Sequence, residues 1–331
     1  MTDLVYLDTL DKASTAALQS RANAPFDRPE WWNLLASHGA MTPWFALACN
    51  GTATALLALS RADGRMVPLA NWYTFRWKPL TSHIPARAGL LEALARDLPR
   101  HGWRLTLQQV PDEDGSASAL AAALRRGGWR VRMERHDVNH VLAVNGRSFA
   151  EYLAGRPGPL RTTLKRRSAK VSCRVLNHFD PVAWRHYEEV YAASWKPEEG
   201  APAMLEAFAR AEGEAGRLRL GLAEIDGTPV AAQFWTVEGG TAWIHKLAHR
   251  EDARSLSPGT VLSAALFARV IDEDRIAFVD FGTGDDPYKR DWMEDIRPRY
   301  RIDALWPRSP RAWPHLLRRT IGALAARRRG G

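Results

Sequence analysis

The sequence is short of several things, and each shortage excludes a class of protein. Among 331 residues there are two cysteines, Cys49 and Cys173, far apart and without metal-ligand spacing. That sets aside a disulfide-stapled scaffold and a cysteine zinc site, and it predicts a reducing compartment and no metal. No segment approaches the roughly eighteen uninterrupted apolar residues that a bilayer-spanning helix needs. The opening residues, MTDLVYLDTLDKAS, carry acids where a secretory leader carries lysines, so the expected location is cytoplasmic. Acids are absent from two stretches. Residues 161–174 (RTTLKRRSAKVSCR) hold six basic residues, and 304–331 hold seven arginines. Without these two stretches the net charge of +9 turns mildly negative, so the basicity is two patches. Each patch is either a solvated face or a surface that meets phosphate or another anion.

What is present is ordinary globular material. A composition of 46% hydrophobic and 25% charged residues excludes a disordered chain, and the length suits two domains. In the N-terminal half, WFALACNGTATALLAL reads as two strands around an Asn50-Gly51 turn. Leu90, Leu91, Leu94 and Leu98 keep helical spacing, Gly102 ends that helix, and 103–110 alternates as a strand. SALAAALRRGGWRVRM repeats the helix–strand unit. After the basic junction come helices near 181–195 and 202–211, then three strands in meander order: LRLGLAEID, TPVAAQFWTVE and TAWIHKLAH. A helix from 258, a strand at 276–281, a short helix from 287 and a strand near 300–306 follow. The expected class is α/β (α+β): two halves, each with a mixed, mostly antiparallel sheet flanked by helices. The expected boundaries are 1–150, 151–306, and a tail at 307–331.

Three stretches carry chemistry. In SLSPGTVL, Ser257 is placed as an N-cap and Pro258 as the first helical residue, with Gly259 and Thr260 leaving the helix mouth open to an anion. The alternative is a helix that is merely well capped. In WIHKLAH, alternation puts Trp243, His245, Leu247 and His249 on one strand face and Lys246 on the other. A histidine's ordinary pKa suits general-base work, which makes His245 a candidate base unless it is a structural histidine. In FVDFGTGDDPYKRDW, a strand runs through Asp280 into two glycines and a new helix start at Asp286-Pro287. A methyltransferase loop is disfavoured, because the third glycine is missing and the preceding elements are a meander. Tyr288 instead opens the helix, with Trp292 one turn further on the same side.

With ASWK (193–196), GTPVAAQFW and HKLAHREDARSLSPGTVL, these blocks resemble the cellulose-biosynthesis (CelD-type) branch of the GNAT acyltransferase superfamily, over roughly 145–300. The resemblance implies two GNAT-like halves in the manner of the Fem-type transferases, the first one non-catalytic. It implies acyl transfer from acetyl-CoA or another acyl thioester, carried by coenzyme A or a carrier protein. The acceptor would be an envelope or exopolysaccharide sugar or its precursor, or a long-chain amine at the membrane; in the Fem-like variant the donor would instead be aminoacyl-tRNA. By position, Tyr288, His245 and Asp280 are the catalytic candidates. Leu247, Ala248, Ser257, Gly259 and Thr260 would contact the thioester and its phosphates. Trp195, Lys196, Gln233, Lys289 and Trp292 would border the acceptor. SLSPGT is poorer in glycine and basic residues than the usual coenzyme loop, which leaves the donor open. In the tail, Trp313, Leu316, Leu317, Ile321 and Leu324 form one helical stripe beside arginines. Residues 308–331 are thus either a basic amphipathic helix for an anionic bilayer or a helix docked on its own domain.

Overall fold

The computed structural model describes residues 2–10, 23–319 and 321. The chain divides into two compact units. Unit 1 comprises the N-terminal segment, Phe26–Asp137 and Pro298 onward; unit 2 comprises Val138–Arg297 with Asn23–Pro25.

Unit 1 contains strands β1 (Asp3–Leu7), β2 (Trp44–Asn50), β3 (Ala53–Ala62), β4 (Arg65–Pro68), β5 (Leu80–Thr81) and β6 (Arg104–Pro111). Its helices are α1 (Pro29–His38), α2 (Arg87–Asp97) and α3 (Ser116–Arg126). The β2–β3 hairpin turns where expected, with Gly51 at φ +58°, a left-handed conformation that glycine adopts without Cβ strain. Neighbouring strands pair antiparallel from β1 to β4, β4 and β6 run parallel, and β6 pairs antiparallel with 298–305. Leu90, Leu91, Leu94, Leu120 and Leu124 press α2 and α3 onto this sheet and form its core.

Strand β7 (Arg130–Ala143) begins in unit 1 and ends in unit 2. Unit 2 continues with α4 (Phe149–Ala154), α5 (Gly158–Arg167), β8 (Ser172–Leu176), α6 (Pro181–Ala192), α7 (Pro202–Glu214) and the meander β9 (Leu218–Ile225), β10 (Thr228–Glu238) and β11 (Thr241–His249). It ends with α8 (Pro258–Ala268), β12 (Phe278–Thr283), α9 (Lys289–Trp292) and the first residues of β13 (Asp295–Leu305), a strand that belongs to unit 1 from Pro298 on. The strand order is β8–β9–β10–β11–β12–β7, with β11 and β12 the one parallel pair. This is the pairing sequence of unit 1 over again, so the fold repeats although the residues do not. In each unit the last strand comes from the other half of the sequence. That moves the boundary from the expected 150 to 137/138 and returns 298–305 to unit 1.

Helices cover both faces of the second sheet. Phe234 of β10 meets Trp184 of α6 and Phe208 of α7, each at 5.6 Å between ring centres, whereas the next residue, Trp235, meets Phe267 of α8 at 5.2 Å. Alternation along one strand thus feeds two layers. The described part of the tail is helical over 313–319. Its expected single stripe is divided: Leu316 packs against Trp103 and Ala312, and Arg319 pairs with Asp303 at 2.7 Å, while Trp313, Leu317 and Ile321 face solvent. Leu324 and the last arginines lie outside the described residues.

Gly213, in the last turn of α7, has no room for a side chain. A Cβ there would stand 2.5 Å from the Phe179 nitrogen, which is backbone and cannot swing aside. Gly213→Ala is therefore expected to lower unfolding free energy by about 1–3 kcal/mol in denaturant titration. Gly158→Ala, which meets nothing within 4 Å, should not.

Candidate active site

The only strand pairing between β11 and β12 joins Thr241, Ala242 and Trp243 to Phe278, Val279 and Asp280. Beyond that point the two strands separate, and β11 from Ile244 onward lacks a strand partner on that side. A cavity of about 560 Å³ opens beside the parting. Leu247 and His249 of β11, Ser257, Gly259 and Thr260 at the head of α8, and Tyr288 and Trp292 line it, with Trp195 at its rim. Seven residues singled out from sequence are therefore brought together: Leu247, Ser257, Gly259, Thr260, Trp195, Tyr288 and Trp292. Ala248 is buried and paired with Ala232 behind them.

The remaining expectations are corrected by the geometry. His245 does not face this cavity. Phe234 pairs with Lys246, but the next residue, Trp235, pairs with Ile244, so His245 is the extra residue of a β-bulge. One inserted residue exchanges the faces of everything after it. His245 consequently stacks on Phe234 at 5.0 Å, touches Phe208 at 5.1 Å and bonds Thr236 at 2.8 Å, under α7. Leu247 and His249 emerge on the α8 face instead.

Asp280 is a structural acceptor. It is buried, takes two bonds from the Asn139 amide at 3.0 and 3.1 Å, and takes the Gly282 N–H at 2.8 Å. Gln233 is also internal. Its amide donates to the Gly259 carbonyl at 3.0 Å and to Ser263 at 2.8 Å, which ties the first turn of α8 to β10. Lys289 is buried with its ammonium donating to the carbonyls of Thr283 (2.5 Å) and Gly284 (3.1 Å), closing the glycine turn. Trp292 lies flat on Phe267 at 4.8 Å, so it walls the larger cavity and not an acceptor cleft. Ser257 stands at the N-cap in a left-handed conformation, φ 51°, and its side chain makes no capping bond.

A second cavity, about 440 Å³, lies against α6, α7 and the loop after Trp195. Trp184, Tyr187, Tyr191, Lys196, Glu188 and Glu199 line it. Lys196 therefore belongs to this cavity, while its neighbour Trp195 belongs to the first. Lys246, on the same strand face as His245, pairs with Glu199 at 2.7 Å and lies 5.4 Å from the Tyr191 ring.

The protonation states follow from burial and neighbours. Burial holds His249 below its ordinary value, with Arg254 and Lys196 adding to it against Glu251, so the imidazole is neutral at pH 7. Burial, then the charge of Asp286, pushes the Tyr288 phenol upward and keeps it a proton donor across the physiological range. Burial, then Lys246, brings Lys196 down to about 8 against the pull of Glu199. In sequence His249 is a strand histidine like His245, and only the bulge decides which of the two reaches the cavity. Arg254, Glu251 and Asp291 carried no motif, and only the closing of the cavity recruits them.

Comparison with known proteins agrees with this architecture. Residues 158–290 match the family model described as "Acetyltransferase (GNAT) domain". The second unit thus matches a GNAT acetyltransferase domain over most of its length, and the protein is a transferase enzyme with the GNAT fold. Among solved structures the chain is similar to FemX (TM-score 0.63, 10% identity, 90% of this chain and 96% of that one). It is also similar to the C-terminal domain of an Agrobacterium fabrum protein described as a lysylphosphatidylglycerol synthetase (0.60, 12%, 91% and 94%). A third is a tandem GNAT protein from the clavulanic acid biosynthesis pathway (0.53, 14%, 91% and 98%). At these identities the likeness establishes the fold alone. No curated protein matches in sequence. Among the described residues no helix is long and apolar enough to cross a membrane, and no cluster of side chains suits a metal ion.

Two substitutions separate the histidines. His249→Ala should weaken binding of an acyl thioester by about tenfold in calorimetry, because it removes a cavity wall that packs at a tilt against Trp195, 4.4 Å between ring centres. His245→Phe, confined to the aromatic layer under α7, should leave that affinity unchanged.

Proposed function

We propose that unit 2 transfers an acyl group, most simply acetyl, from a thioester in the larger cavity to an amine or hydroxyl presented from the smaller one. The observation that carries this reading is the parting of β11 and β12. It leaves the edge of β11 beyond Trp243 without a strand partner on that side, beside a cavity lined by a protonated tyrosine, with the second cavity against the helices of the opposite face. The acceptor nitrogen or oxygen attacks the thioester carbonyl directly. The Leu247–Ala248 backbone is the proposed contact for the carbonyl oxygen, where a fixed donor acts on developing negative charge. Neutral His249 takes the acceptor's proton, and the Tyr288 phenol donates to the departing sulfur. The Ser257–Thr260 turn receives the phosphate end of the donor. The resemblance to the cellulose-biosynthesis branch favours a sugar, or its precursor, of the envelope or exopolysaccharide as acceptor.

Tyr288→Phe tests the assignment. The expected result is a fall in kcat of about 10²–10⁴ with donor affinity retained; unchanged turnover removes the acid role. The pH profile adds a sign. Since His249 is depressed below the ordinary histidine value of about 6.5, the acid limb of kcat/KM should fall below that pH. Since Tyr288 is raised, it should contribute no alkaline limb near pH 10.

A second reading keeps the transfer and makes the acceptor a lipid amine at an anionic membrane. Trp313, Leu317 and Ile321 favour it, because they recur at i, i+4, i+8 and are each more than half exposed, beside Arg311 and Arg318. Replacing the three apolar residues by alanine should reduce co-sedimentation with phosphatidylglycerol vesicles about tenfold; equal sedimentation removes this reading. The resemblance of the sequence to Fem-type transferases keeps aminoacyl-tRNA as a further donor class, and labelled tRNA offered to the full chain tests it.

A further inference from the structure

The larger cavity is poorly matched to a donor that carries several phosphates. Arg254 is the one lysine or arginine in its lining, against the carboxylates of Glu251 and Asp291. The head of α8 adds little. Pro258 has no N–H, and the N–H groups of Thr260 and Val261 are already bonded to the Ser257 carbonyl at 3.1 and 3.2 Å. Gly259 alone is left to offer a backbone donor in that turn. One phosphate can be met here by Gly259 and Arg254, but a cluster of them meets two acids.

The cations are next door, on α5. Residues 158–170 hold Arg161, Lys165, Arg166, Arg167 and Lys170 and no acid. Among the described residues their side chains make no ion pair or hydrogen bond, unlike most arginines of this unit, which are matched to carboxylates. Leu160 and Leu164 are sunk in the core, and that fixes the helix so that Arg161, Lys165, Arg166 and Lys170 point to water. Leu160 also lines the larger cavity, so the charged face begins one residue from it. A concentration of unpaired cations self-repels and destabilises the free protein slightly. An anionic partner relieves the repulsion and gains steering.

We propose that α5 is the docking face for an acidic acyl-carrier protein. The carrier's phosphopantetheine arm delivers the thioester into the larger cavity, with its single phosphate at Gly259 and Arg254. The proposal rests on the donor reading given under Proposed function and names the form of the donor. In the transfer, the acceptor N–H or O–H adds to the thioester carbonyl, a C–N or C–O bond forms and the C–S bond breaks. The acceptor's proton ends on the carrier's thiol, so no other reactant is needed. The charge lies on a macromolecular surface beside the cavity and not within it, and this favours a tethered donor over free coenzyme.

The test is binding of dye-labelled acetyl-loaded acyl-carrier protein, of the type that serves fatty-acid synthesis, to the full chain by fluorescence anisotropy. The expected result is an affinity that weakens about tenfold between 50 and 200 mM salt. It should weaken at least about tenfold again in the triple variant Arg161→Glu, Lys165→Glu, Arg166→Glu. The milder Arg161→Gln, Lys165→Gln pair should give a smaller loss in the same direction. Unchanged thermal unfolding and unchanged acetyl-CoA affinity in both variants would place the effect on the docking face. Absent carrier binding, binding unaffected by the variants, or carrier excluded while labelled tRNA binds α5 would each overturn the proposal. If the carrier binds through α5 but neither carrier nor coenzyme supports transfer, the docking face stands and the transfer reading falls.

Discussion

Everything that unit 2 can do chemically depends on how briefly β11 and β12 stay together. A parallel pair with three partnered residues on each strand is held from outside the pair, because its own hydrogen bonds are few. Asp280 supplies the hold on one side, anchoring β12 through the Asn139 amide on β7 and capping its own turn through the Gly282 N–H. Gln233 supplies it on the other, pinning the head of α8 to β10. Between these two fixed points the strands part and leave backbone that no sheet neighbour satisfies. Backbone groups without a sheet partner in a half-buried cleft are costly unless water, ligand or another protein group meets them. Two residues expected to act on substrate, Asp280 and Gln233, turn out to hold the cleft open.

The bulge at His245 is the second constraint. Because side chains alternate with period two, one extra residue exchanges the faces of all that follow. Up to Ile244 the even-numbered residues of β11 face the core beneath α8; after the bulge Leu247 and His249 do. A histidine neutral at pH 7 thereby enters the cavity, and Lys246 turns to Glu199 and the second cavity. The two cavities meet the chain at consecutive residues, Trp195 and Lys196.

The same two-sidedness explains the charge. The cations of α5 sit outside a cavity whose own lining holds one cation and two carboxylates, so under the proposed reading binding of the reacting group and recognition of its carrier would be separate tasks on adjoining surfaces. At the chain's other basic patch, helix 313–319 commits Leu316 and Arg319 to unit 1 and leaves a narrow apolar stripe exposed. The described part of the tail is therefore docked along one side, with the other side exposed.

Local chemistry made much of this legible in advance. The meander strands 228–238 and 241–249 have the bounds expected of them, because their ends are written in turn residues, Asp226-Gly227 and Gly239-Gly240. The placing of Tyr288, Gly259 and Leu247 in one site likewise follows from motif order along a known topology. The residues misplaced from sequence, His245, Asp280, Gln233 and Lys289, were all read as facing substrate because they are polar and sit among site residues. Burial turned them inward, where each finds an internal hydrogen-bond partner, and sequence does not say which polar groups a fold will satisfy internally. The exchange of final strands between units was equally hidden, since pairing over some 150 residues leaves no local trace. Element type, turn positions and the basic patches were determined by the sequence alone, through propensity and composition. Strand facing, the ownership of β7 and β13, and the roles of the buried polar residues were decided only in the tertiary structure, because each depends on a partner distant along the chain.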